Sequence, residues 1–127
     1  MLRKFAGFGI PKQQWDAAKR EATAVLTKRA AVRGMIPYSD LVHEIRSVQF
    51  EPNAPSFFHF PGEISSEEDA AGRGMLTAIV VHKHGDMQPG PGFIKLAQAL
   101  GRDTKDKDDC WIKELHRVHA VWSKSPN

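Results

Sequence analysis

The stretch that most constrains this chain is Leu76 to Val81, LTAIVV, an uncharged run rich in β-branched side chains. A run this short and this continuous is the pattern of a strand buried on both faces, so the rest of the chain must cover it from two sides. HKHGDMQPGPGF follows at once. Gly85 and Asp86 read as a tight turn, and the Pro89 to Gly92 segment as a hinge into a further helix.

The flanking sequence supplies helices. From Lys12 to Arg33 the apolar positions Trp15, Ala18, Ala22, Leu26 and Ala30 recur three or four apart, with Pro11 ahead of them and Gly34 as the stop. The spacing predicts one long amphipathic helix. Met35 and Ile36 read as a very short strand. Pro37 then opens a second helix with a stripe of Tyr38, Leu41, Ile45 and Val48. VQFEPNAPS reads as a loop, and FFHFPGEISSEEDAAGRG as an irregular or broken helix ending near Gly72. Beyond the hinge, Phe93, Leu96 and Leu100 recur at helical spacing up to Gly101, and RDTKDKDD forms a polar linker. Trp111, Leu115, Val118 and Trp122 then mark a last helix, followed by a frayed SKSPN tail.

At 127 residues, 41% hydrophobic and 26% charged, the chain suits one globular domain and contains no apolar run of the ~20 residues needed to span a bilayer. MLRKFAGFGI is too short in its apolar part for a signal peptide, so a cytoplasmic location and no membrane partner are expected. Cys110 stands alone and makes no internal disulfide. The net charge of +3 is uneven: residues 1–34 carry +6, residues 35–74 carry −5 and the remainder +2. Such a division suits either an anionic partner for the first segment or attraction between the two within the fold.

The order of elements is that of a winged helix, in which a helix-turn-helix is followed by a strand hairpin whose tip is the wing. The expected class is α+β and mainly helical: a winged helix-turn-helix with a small sheet and additional N- and C-terminal helices. One domain covers 1–127, with a basic helix over 1–34, the core over 35–100, and a linker and helix over 101–127. IPYSDLVHEI, LTAIVV and GDMQPGPGF together resemble the C-terminal DNA-binding domain of alkylguanine alkyltransferases, with its TYGDIA, PCHRVV and glycine-rich turn. The likeness covers roughly residues 35–100. It implies the architecture only, because the reactive cysteine falls on Thr77 and its following histidine and arginine on Ala78 and Ile79. The whole chain is also similar to small bacterial proteins of unassigned function with GRPLLSALVV and GMPGPGF patterns.

No constellation predicts catalysis, a metal or a cofactor. His82 with His84 and His116 with His119 form two pairs whose joining is not dictated by spacing. Cys110, at a helix start, has no base predictable beside it. Gly85, Gly90 and Gly92 fit neither the dinucleotide fingerprint nor the phosphate loop. Duplex DNA is the expected partner, through Tyr38 and Ser39 at the second helix, Arg73, and the wing residues Lys83 and His84. Against it, the helix placed for the major groove carries Glu63, Glu67, Glu68 and Asp69. A protein-interaction or regulatory module whose acidic helix faces a basic partner is therefore the alternative, and a homodimer stays open.

Overall fold

The structure is a computed structural model that describes residues 10–50, 55–81 and 91–123. Its described part is mainly helical with one small parallel sheet. The elements are α1 (Lys12–Ala31), β1 (Ile36–Pro37), α2 (Tyr38–Glu44), α3 (Pro55–Ala70), a 3-10 turn (Leu76–Ile79), β2 (Val80–Val81), α4 (Pro91–Ala99) and α5 (Lys107–Trp122). α1 is the shaft of the fold. Trp15, Ala18, Ala22, Leu26 and Ala30 are all buried, as their spacing predicts, and the small alanines let α5, α2, α3 and the 3-10 turn approach it. Near its start Trp15 meets Phe60 and Phe50 edge-on, with ring centroids 5.2 and 5.9 Å apart.

Met75 through Val81 is buried throughout, as expected, but only its last two residues are strand. The reason lies in backbone bonding. Buried N–H and C=O groups need partners, and β1 offers just two residues, pairing Ile36 with Val80 and Pro37 with Val81. Residues 76–79 therefore close on themselves and on side chains. The Ala78 N–H donates to the Met75 carbonyl, the Thr77 N–H to Ser65 Oγ, and Trp111 Nε1 to the Ala78 carbonyl, at 2.9, 3.0 and 2.8 Å. Because β1 and β2 run parallel, they are not the two arms of a hairpin. The turn and wing expected from Gly85 and Asp86 fall within 82–90, outside the described residues, as does the tail over 124–127.

Two helices differ from expectation. α3 runs unbroken through Pro61, which is buried between Phe60 and Ile64, so packing outweighs the roughly 3 kcal/mol that an interior proline costs. α2 stops at Glu44, where Ile45 turns extended, so Val48 packs on the core from a loop. α2 rests on α1, β1 and β2, whereas α3 rests mainly on the 3-10 turn, α4 and α1. α1 thus holds the two helices in relation to each other.

α5 buries Cys110, Glu114, Val118 and His119, while Trp111, Leu115 and Trp122 of the expected stripe are only half-buried. Glu114, 2% exposed, is the junction of the fold. Its carboxylate accepts the Met75 N–H at 2.8 Å and takes Arg102 side-on, Nε at 3.0 Å and Nη2 at 3.1 Å. Arg102 Nη2 also reaches Asp69 on α3. Gly74, at φ 87°, admits this carboxylate, since a Cβ there would lie 3.1 Å from Glu114 Oε2.

Three helices end in the same hydrogen-bonded motif. α3 closes through Gly72 and α4 through Gly101, at φ 81° and 91°, with Arg73 and Arg102 donating back five residues. At α1 the left-handed residue is Arg33, φ 56°, and Gly34 only donates to the Arg29 carbonyl. The glycine expected to stop α1 thus sits one place too late to relieve the backbone.

Two stability outcomes follow from these contacts. Arg102→Ala removes the side-on cation of buried Glu114, leaving Arg117 Nε at 3.9 Å, and should cost about 3–5 kcal/mol, read from the urea midpoint. A loss under about 1 kcal/mol would contradict the buried pairing. Arg33→Gly removes about 1–2 kcal/mol of left-handed strain and returns about 0.5–1 as glycine's chain entropy, a net gain of up to about 1.5 kcal/mol. A lower melting temperature would contradict it.

Candidate nucleic-acid interface

Most charges in the first half of α1 are paired, Arg20 being exposed there without an ion pair among the described residues. In the first half Lys12 bonds Asp16 at 2.6 Å, and Glu21 accepts the backbone N–H groups of Arg46 and Ser47 and the Ser47 hydroxyl. Lys19 lies between Glu63 and Glu67 of α3 at 3.2 and 2.7 Å. Glu63 also accepts the indole N–H of Trp15 at 2.9 Å. Burial alone raises the Glu63 carboxyl, but Trp15 and Lys19 outweigh it and hold it below the usual carboxylate value.

Every acid that counted against DNA binding has such a partner. Glu68 takes Arg73 in a two-pronged pair, and Asp69 takes Arg102, whose hydrogen bond lowers the aspartate. Lys19 thus joins the basic first segment to the acidic middle, while Glu68 and Asp69 are matched by Arg73 and Arg102 from later in the chain. The second half of α1 is different. No acid occurs from Ala22 to Pro37, while Lys28, Arg29 and Arg33 are exposed there. Among the described residues none of these three forms an ion pair; Arg29 Nη1 lies 3.3 Å from the Met35 carbonyl.

An open cleft of about 390 Å³ separates this end of α1 from α2. Val25 and Ile36 form its apolar lining, Lys28 and Arg29 stand on the α1 side, and Asp40, His43 and Glu44 on the α2 side. Tyr38, half-buried, and Ser39, exposed, occupy the first turn of α2. Because the strands are parallel, the chain leaves β1 into Tyr38 and leaves β2 after Val81 at one end of the sheet. Lys83 and His84 lie outside the described residues. Arg73 does not join this group. It closes α3, bonded to Glu68 and placed 6.0 Å over the Trp122 ring.

Among the other chemical candidates, Thr77, Cys110 and His119 are buried in the packing. Thr77, at the position of the alkyltransferase cysteine, is buried with its hydroxyl 2.5 Å from that of Ser65. Cys110 is buried, and burial pushes its thiol up. His119 is buried with Nε2 3.0 Å from the Gly34 carbonyl, whereas His116 is exposed, so the two are not held together. His82 and His84 are outside the described residues. Among the described residues no cluster of three His, Cys, Asp or Glu is placed for a metal ion, and no helix is long and apolar enough to cross a membrane.

No protein-family profile, curated protein or solved structure matches the chain. The exposed cations at the end of α1 belong to the basic first segment, for which an anionic partner is one of the two expectations. Their signal was present in the acid-free span from Ala22 to Pro37.

The pairing of α3 makes a pH prediction. A carboxylate whose folded pKa is depressed contributes stability that is present above its unfolded value, about 4, and is lost as pH falls through the folded value. Asp69 and Glu63 are both depressed, so urea stability should decline below about pH 4. Asp69→Asn should be less stable at neutral pH and lose less on acidification; an acid limb identical to that of the parent would contradict the Asp69 pairing.

Proposed function

We propose that this chain is a non-catalytic nucleic-acid-binding protein on a winged-helix-like plan, with the end of α1 supplying phosphate contacts beside α2. The observation that carries it is the distribution of charge: the acids of α3 are matched within the fold, while Lys28, Arg29 and Arg33 are exposed at the end of α1 without an ion pair among the described residues, with Asp40 and Glu44 of α2 across the cleft from Lys28 and Arg29. Phosphates are bound by such uncommitted cations, and binding of this kind needs no catalytic group. Tyr38 and Ser39 add polar contacts next to them, and Lys83 and His84 are the wing residues of the same reading. Arg73, matched with Glu68 and lying against Trp122, is removed from it. The alternative, an acidic helix docking a basic protein, loses support because Glu63, Glu67, Glu68 and Asp69 already meet cations.

Fluorescence anisotropy of a labelled duplex, begun at low salt, tests the proposal. Binding should weaken as salt rises, with a log–log slope of about −0.9 for each phosphate engaged. Changing Lys28 and Arg29 together to alanine should flatten the slope by about two. Absence of binding at low ionic strength would refute the proposal, and an unchanged slope would place the phosphate contacts elsewhere.

A further inference from the structure

The end of α1 breaks a rule that the chain keeps twice elsewhere. α3 and α4 close through left-handed glycines, Gly72 and Gly101, but α1 closes through Arg33 at φ 56°, the one non-glycine residue with positive φ among the described residues. The left-handed region crowds a side chain, and a bulky residue in it is strained unless the position has another use. Next to it Val32 is 75% exposed, the most exposed large hydrophobic side chain among the described residues. The Arg33 guanidinium has no hydrogen-bond or ion-pair partner among those residues, so the fold's use of its charge is limited to the dipole at the end of α1. Arg29 stands one turn back, with Lys28 beside it, and no acid is near in sequence.

Resting on the nucleic-acid reading, we infer that Arg33 is the anchor of that interface. Its planar fork takes two oxygens of a duplex phosphodiester, and Val32 lies against the adjoining sugar. An arginine matches this geometry where the preferred cap residue, glycine, has no donor to offer. The position trades folding stability for binding, which is why neither the helix motif nor the packing explains the residue found there. Duplex phosphate is the committed partner because its closely spaced charges suit a helix end with three cations; an anionic lipid surface is the competing source of the same group.

The test compares the full chain with R33G and R33K, using a labelled duplex, vesicles of phosphatidylserine and phosphatidylcholine, and thermal melting. R33G should melt higher than the parent yet bind duplex several-fold more weakly, with a salt slope shallower by about one. R33K keeps both the charge and the left-handed strain but loses the fork, so it should melt like the parent and bind with intermediate affinity. If the parent binds duplex and R33G binds equally well, the anchor is wrong and the nucleic-acid reading survives. A parent that binds no duplex at low salt, or binds the vesicles instead, overturns both. A lower melting temperature for R33G overturns the trade between stability and binding.

Discussion

The fold depends on one carboxylate taken out of water. Glu114 sits on the inward side of α5 at 2% exposure, a position that is costly for an acid without a cation and hydrogen bonds to replace its hydration. It has both. Arg102, set at the end of α4 by the left-handed Gly101, takes the carboxylate side-on and extends to Asp69, while the Met75 N–H closes the remaining position. Four segments meet there: the end of α3, the start of the buried 3-10 turn, the α4–α5 connection and α5 itself. The geometry also explains why Gly74 precedes Met75, since any side chain would press on the carboxylate.

The same principle, charges matched inside, sets the outer surface. Lys19 binds α1 to α3, Arg73 covers Glu68, and Arg102 covers Asp69, so the acidic middle of the sequence does not become an acidic face of equal strength. The basic end of α1 forms no ion pair among the described residues, and Lys28 and Arg29 there face Asp40 and Glu44 of α2 across the cleft. Function is thus argued from the remainder after internal pairing, rather than from the gross charge of any segment.

Much of this was legible in the sequence where information is local. The α1 stripe follows directly from helical spacing, and the burial of Leu76 to Val81 from the absence of any charge. Their conformation did not follow, because a strand requires a partner, and the two-residue limit of β1 is a property of another part of the chain. Pro61 within α3 was obscure for a similar reason: Phe60 and Ile64 hold the helix together by contacts distant in sequence. Glu114 was the deepest omission. An acid between Lys113 and Leu115 reads as solvent-facing, and nothing local announces Arg102 and Met75 as its partners. Of the residues read as contacts, Tyr38 and Ser39 occupy the first turn of α2, while Arg73 pairs with Glu68 at the end of α3.

Glu114 closes over the Met75 amide at the junction of the fold, and native-state hydrogen exchange at that amide tests this role most directly. An N–H held by a buried carboxylate at the junction of four segments should exchange only through global unfolding, with an opening free energy equal to that from urea denaturation. Exchange through a local opening, well below the global value and insensitive to urea, would contradict the claim that this junction holds the fold together.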